Sequence, residues 1–330
     1  MIAGSRRKQR SVITNHSAPI IDVVIANWNS GSLLHDCVAS LDRSDIAHRL
    51  DVIVVDNASS DNSAHGLVAD QLNLRVITNL ENRGFAAACN QGAQQGSAPY
   101  LLFLNPDVRV EPNTLNRAAR YLDDPAHILV GALGVRLLDS EGRVRRSCAR
   151  TPSLFTLLLH SLFLDRMVPA LVPQHFLAER EHQNTRPVDQ VMGAFLMIRQ
   201  SLFAELGGFD ERFFLYYEDV DLCLSVRQAD RVVVHLASAT AEHIGGGTTQ
   251  SIKDRRLFYL ITSKVTYTAK RHGKFAALLL CAFALLFELP IRWLYATLAC
   301  RQRESWLVMR GGLLFFANLP RLVRDIWSGR

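Results

Sequence analysis

The sequence predicts an α/β fold: a mainly parallel sheet flanked by helices, followed by an apolar helical tail. Three observations point there. Short apolar runs alternate with segments of helical period through the first 122 residues, the pattern of strand–helix–strand units. The early strands each end in a polar loop, at Asn27–Ser30, Asp56–Asn62, Asn79–Gly84 and Asn105–Asp107. In a parallel sheet those loops gather at the carboxyl ends of the strands, where such sheets bind ligands. An apolar stretch then occupies 275–300.

The elements follow in order. Residues 1–18 are polar and basic and are expected to be disordered. A strand over Ile20–Ala26 is continuous apart from Asp22. Leu33, Leu34, Cys37, Val38 and Leu41 recur at helical spacing. A second strand over Asp51–Val55 leads into a turn-rich segment and a helix to about Leu72. A third strand, Leu74–Thr78, precedes a small-residue helix ending near Gly96. Tyr100–Leu104 is the fourth strand and Thr114–Leu122 a helix. Leu129–Leu138 reads as a strand closed by a turn at Asp139–Gly142. Ser153–Gln183 is an apolar, irregular insertion. Val191–Ile198 reads as a strand, and Ser201–Leu206 as a helix capped by Gly207-Gly208. Asp219–Gln228 is a helix whose acidic first turn suits the macrodipole. Arg231–Leu236 is the last strand.

The chain has 330 residues, 48% hydrophobic, with a net charge of +6, enough for one large domain and an appendage. The basic excess lies at the two ends beside apolar sequence, which suits an anionic membrane surface. No nucleic-acid signature accompanies it. The six cysteines are scattered without a CxxC pair and read as reduced, mostly buried thiols. With no secretory signal before Pro19, the expected location is cytoplasmic, at the inner face of the cell membrane. The uninterrupted apolar run Phe275–Phe287 is shorter than the ~20 residues of a span. Within a membrane-associating helical tail at 271–330, an interfacial or re-entrant helix pair over 275–300 is favoured, with a true span or a soluble helical tail as alternatives.

The chemistry concentrates in Phe213–Cys223. Three carboxylates, Glu218, Asp219 and Asp221, follow an aromatic run. Apolar walls raise the proton affinity of a carboxylate and suit it to general-base work. Asp107 ends an apolar strand, and His243 stands just before Gly245-Gly246-Gly247. Together these suit a divalent metal and a phosphorylated substrate. His235, inside an apolar strand, reads as a satisfied core residue.

Val23–Asn29, Val54–Ser59, Asn82-Arg83-Gly84-Phe85, Asn105-Pro106-Asp107, Gly207–Asp210 and Tyr217–Asp221 together resemble the inverting family 2 glycosyltransferases. These have the GT-A fold, a Rossmann-like mixed, mainly parallel sheet flanked by helices. The Asn-Pro-Asp and Tyr-Glu-Asp-Val-Asp versions look most like the bacterial rhamnosyltransferase branch. The resemblance covers roughly 20–270 and implies a GT-A domain at 19–270. It implies that Asp56 contacts a pyrimidine base with Asn27 and Asn29 nearby, and that Asn82 and Arg83 lie along the nucleotide and diphosphate. Asp107 would bind Mg²⁺ or Mn²⁺, and His243 would complete that site. Asn105 replaces the first acid of the usual Asp-x-Asp motif, so it is assigned to ribose or a metal-bound water. Asp219 would be the catalytic base, Glu218 would orient the site or the acceptor, and Asp221 would cap or pair structurally.

The implied reaction moves a sugar, with dTDP-L-rhamnose as favoured donor, to a cell-surface glycan or lipid-linked acceptor. A UDP-hexose-dependent transferase of the same fold and a catalytically silent nucleotide-sugar-binding scaffold remain alternatives. A dehydrogenase is disfavoured because Asn27-Trp28-Asn29-Ser30-Gly31 is not G-x-G-x-x-G. A nucleotidyltransferase is disfavoured because no glycine-rich basic loop follows that strand.

Overall fold

A computed structural model describes residues 18–164, 168, 172, 174–245 and 253–328. The N-terminal segment expected to be disordered lies outside the described residues apart from Ala18, as do Gly246 and Gly247 and part of the 153–183 insertion.

Three parallel pairings build the first half of the sheet. Strand β1 (Ile21–Asn27) lies between β2 (Leu50–Asp56) and β4 (Tyr100–Leu104), and β3 (Asn73–Thr78) flanks β2. The register Asn27↔Asp56 and Asp56↔Thr78 brings these strand tips level. The second half is mixed. Strands β5 (Val108–Val110), β6 (Val130–Leu138), β8 (Arg186–Pro187), β10 (Phe195–Arg199) and β11 (Val232–His243) complete the order β3-β2-β1-β4-β10-β6-β11-β5, with β8 on β11. A separate short ribbon joins β7 (Cys148–Ala149) to β9 (Gln190–Val191).

Side chains alternate between two cores, as period-2 strands require. Val23, Ile25, Val52 and Val54 pack under helices α1 (Leu33–Asp42) and α3 (Thr114–Asp123). Val24, Ile53 and Val55 pack under α2 (Phe85–Ala93), α5 (Gln200–Glu205) and α6 (Glu218–Gln228). A third core joins Phe213 and Val220 to α4 (Leu154–Ser161), α7 (Lys253–His272) and the two tail helices, α8 (Lys274–Leu298) and α9 (Gln302–Ser328).

Four sequence expectations change. No helix runs from Asn62 to Leu72, because side chains take the backbone donors instead. Asp42 accepts from the N–H groups of Asp70, Gln71 and Leu72 at 2.8–3.2 Å. The strand expected at Val191–Ile198 breaks at Met192–Ala194, where Gly193 turns its N–H toward Asp219. Strand β11 runs seven residues past Leu236, through an irregularity between Leu236 and Thr240. The helix α7 was not foreseen; its apolar face is interrupted by Lys264, whose partner lies far along the chain.

The apolar tail is one helix of 25 residues interrupted by a π-turn at Ala284–Glu288, followed by α9. The two lie antiparallel: Lys274 Nζ donates to the Trp327 carbonyl at 2.8 Å, and Thr297 and Ser305 hydroxyls meet at 2.9 Å. By length and composition α8 is apolar enough to cross a membrane, and a third of that window is buried within the protein. The π-turn delivers Glu288 inward, 2% exposed, onto Lys264 of α7 and the Ser161 hydroxyl at 3.0 Å. Arg292 completes the cluster at 2.9 Å. Removing one member of such a pair strands a buried charge. Glu288→Ala is therefore expected to destabilise the protein by about 3–5 kcal/mol, read as a lowered urea midpoint. An unchanged midpoint would show that the tail is not docked through this cluster.

Candidate active site

The loops at the carboxyl edge are knitted together before any ligand arrives. The Asn27 amide donates to Asp56 Oδ1 at 2.8 Å, Ser63 Oγ at 2.9 Å and Ser59 Oγ at 3.1 Å, and its oxygen accepts from the Ser30 hydroxyl. With its whole amide engaged and fully buried, Asn27 sets the position of Asp56. Asn29, held at φ +49°, accepts from the Ser60 N–H at 2.7 Å and gives its own N–H to Ser59 Oγ at 2.9 Å. Asn57 extends the lattice, donating to the Gly84 carbonyl at 2.9 Å and accepting from Asn79 at 2.9 Å. Asn82 accepts from the Gly84 N–H at 2.9 Å. Gly84 has φ +88°, and a Cβ there would stand 2.6 Å from the Phe214 carbonyl oxygen, so only glycine fits.

A cavity of about 310 Å³ opens over these loops. Asn27, Trp28, Asn57, Asn82 and Phe85 form one side; Phe214 and Leu215 form another, and Arg255 and Tyr259 of α7 close it. Phe214 and Tyr259 stack with centroids 4.6 Å apart. Arg83 is exposed and is not among the lining residues. Trp28, Phe214, Arg255 and Tyr259 were missed from the sequence. Residues 255 and 259 do share a helix face at i, i+4, which is the signal that would have paired them.

Asp107 and His243 come together through the sheet. Antiparallel pairing of β5 with β11 sets His243 opposite Val108, the neighbour of Asp107. The imidazole Nε2 stands 3.4 Å from Asp107 Oδ1, both side chains nearly buried. Arg145 fixes the backbone here, donating to the carbonyls of His243 and Ile244 at 2.6 and 2.8 Å. Among the described residues no group of three or more His, Cys, Asp or Glu is arranged to hold a metal ion. One carboxylate and one imidazole suit a divalent ion that takes its remaining ligands from a diphosphate and water. Asn105, the first residue of the turn, pairs its N–H with the Ala194 carbonyl at 3.0 Å and accepts at its own carbonyl from the Val108 N–H at 3.1 Å.

The acid cluster divides into three environments. The chain enters α6 through Tyr216 and Tyr217 at φ +71° and +68°, a strained pair of left-handed residues. Tyr217 is held by Tyr267, centroids 5.4 Å apart. Asp219 Oδ2 accepts from the Gly193 N–H at 2.9 Å and Oδ1 from the Val220 N–H at 2.8 Å. Burial raises its proton affinity, and those two N–H groups and Gln190 oppose the rise. Glu218 is 7% exposed, and its Oε2 has no hydrogen-bond partner. Burial first, and the Asp219 charge second, push its pKa far above the ordinary value, so of the two coupled carboxyls Glu218 holds its proton the more tightly. Asp221 pairs with Lys270 at 2.8 Å and with Arg271, which also donates to the Asp221 carbonyl at 3.0 Å. This is the structural pairing expected of it. His235 is fully buried, its pKa lowered to about 4 by burial, with Nε2 bonded to the His182 carbonyl at 2.9 Å.

Gly193 and Ala194 join the parts: the first bonds Asp219 and the second Asn105. Asp219 therefore stands beside the β4 tip that carries Asp107.

A family model described as glycosyl transferase family 2 matches residues 22–207, more than half of the chain. An N-acetylglucosaminyl-diphospho-decaprenol L-rhamnosyltransferase of Mycobacterium tuberculosis is 28% identical over 310 residues, covering 89% of this chain and 94% of the relative. The rhamnosyltransferase WbbL of Escherichia coli is 24% identical over 172 residues, 52% of this chain and 62% of WbbL. Among solved structures, the mannosyltransferase PcManGT of Pyrobaculum calidifontis, in complex with GDP-Man and Mn²⁺, has a TM-score of 0.51 at 17% identity. That match covers 91% of this chain and 88% of PcManGT. Residues 1–349 of S. aureus TarS, in complex with UDP-GlcNAc, give 0.50 at 15% identity over 94% of this chain and 92% of theirs. With its mixed sheet and its knitted strand-tip loops, the chain belongs to glycosyl transferase family 2, has the GT-A fold and resembles the rhamnosyltransferase branch.

Proposed function

We propose that this glycosyltransferase is an inverting enzyme that moves L-rhamnose from dTDP-L-rhamnose to a hydroxyl of a cell-surface glycan or lipid-linked acceptor. The observation that carries the reading is Asp219, a half-buried carboxylate oriented by the Gly193 N–H beside the Asp107 strand tip. The 28% identity to an L-rhamnosyltransferase supports the choice of sugar. In the reaction Asp219 takes the acceptor proton as that oxygen forms its bond to the anomeric carbon. The bond from that carbon to the diphosphate breaks on the opposite face, so a single displacement inverts the centre. Glu218, neutral, carries no competing charge and orients the turn. Asp56 faces the base, with Asn29, Asn82 and Asn105 along the nucleotide. Asp107 and His243 would hold Mg²⁺ or Mn²⁺, whose chemistry when bound is to neutralise charge on the departing diphosphate. The test is release of nucleoside diphosphate from a panel of dTDP- and UDP-sugars, with membrane extract as acceptor. Turnover of dTDP-rhamnose that disappears in Asp219→Asn is expected. Turnover of a UDP-hexose instead would keep the transferase and discard the rhamnosyl assignment.

The acid turn also sets a pH dependence. A base must be ionised, and burial raises the Asp219 pKa. Activity is therefore expected to fall on acidification at a pH above that of an ordinary aspartate, near 4. Asp219→Asn should lower kcat by about 10²–10⁴-fold. Glu218→Gln mimics the neutral acid and should stay within about tenfold of the parent, with its acid limb unmoved. An acid limb that shifts in Glu218→Gln would show that Glu218, not Asp219, titrates in the active range.

The tail reading is a peripheral membrane contact at the inner face of the cell membrane. Trp293, Tyr295, Leu298, Trp306, Leu313 and Phe316 are all exposed on the hairpin, and Arg301, Arg303 and Arg310 lie beside them. Aromatic and basic side chains in that combination suit a lipid interface. The internal docking of Glu288 on α7 supports a helix that lies against the domain rather than leaving it. Purified protein should float with vesicles containing anionic lipid and less with neutral ones. Equal recovery without vesicles would sink the membrane contact.

A further inference from the structure

We infer that Arg255 is the side chain that binds the diphosphate of the donor, a role that rests on the nucleotide-sugar reading above. The cavity over the strand tips is walled by aromatic rings and neutral amides, and Arg255 is the one charged residue among those lining it. A nucleoside diphosphate brings at least two negative charges into this space, and a guanidinium matches phosphate oxygens in a two-pronged geometry. Other cations near the strand tips are engaged elsewhere or lie outside the cavity. Arg145 is bonded to the carbonyls of His243 and Ile244. Arg109 is paired with Asp36 and Glu242. Arg83 is exposed and does not line the cavity. Among the described residues the Arg255 side chain makes neither an ion pair nor a hydrogen bond, and it is exposed to the cavity and solvent.

Its helix adds a second consequence. Helix α7 carries Arg255 at one end and, in its middle, Ser263, whose hydroxyl donates to the Leu215 carbonyl at 2.8 Å. At its other end Lys270 and Arg271 grip Asp221, two residues from Asp219. A donor bound through Arg255 is thus held by the same rigid element that locates the base.

The experiment is calorimetric titration of parent, Arg255→Gln and Arg255→Lys with UDP, dTDP, the matching nucleosides and inorganic pyrophosphate. Arg255 is exposed, so the variants are expected to fold, checked by unchanged melting. Arg255→Gln should weaken both nucleoside diphosphates about 10–100-fold, leave the nucleosides unchanged and lose pyrophosphate, with Arg255→Lys intermediate. Parent-like diphosphate affinity in Arg255→Gln would overturn the assignment, as would an equal loss for the nucleosides or a parent protein that binds none of the phosphates. Pyrophosphate binding that depends on Arg255, without any binding of UDP or dTDP, would support Arg255 while sinking the pyrimidine donor.

Discussion

Three carboxylates in one turn of a buried helix cannot all be charged and unpaired, and the site is built around that constraint. The low dielectric of the interior forces a separate solution on each. Asp221 is neutralised by two cations from α7. Burial raises the proton affinity of Glu218 most. Asp219 is raised too, but two backbone N–H groups oppose the rise and favour its anion. The strained tyrosines at the entry to α6 lead into this turn, and Tyr267 and the third core hold Tyr217 in place.

That arrangement explains why the chain does not end with the sheet. The helices after β11 extend the domain's core instead of hanging from it: Phe213, ahead of the acid turn, and Val220, within it, pack in one cluster with residues of α7, α8 and α9. The ion cluster of Lys264, Glu288 and Arg292 then fixes the register of the tail against α7. One face of the hairpin is apolar because it packs on the catalytic body, and the other because large side chains remain exposed. A single apolar stretch thus carries two different burdens, which composition alone does not separate.

Much of the fold was legible. The first four strands, with α1, α2, α3 and α6, fall where the periodicity placed them, because strands buried on both faces write continuous apolar runs and helices write period 3.6. The segment from Asn62 to Leu72 misled because its backbone donors are taken by Asp42 and Asp61, side chains distant or opposite in effect to a helix ladder. The break at Gly193 was hidden for a related reason: Met192, Gly193 and Ala194 look like strand until their partners, Asp219 and Asn105, are known.

The sequence by itself determined the sheet, the strand-tip loops, the acid turn and the family resemblance, since each is written in residues near one another along the chain. Tertiary structure decided which of those residues meet. Asp107 reaches His243 only through the antiparallel register of β5 and β11, and Arg255 reaches the cavity over the strand-tip loops only because α7 folds back across them. Even the raised proton affinity of Glu218 depends on its burial, and Asp221 finds its ion-pair partners about 50 residues away. Local sequence encodes backbone preference and face, whereas proton affinity and ligand geometry depend on what packs opposite, and that is fixed only when the chain closes on itself.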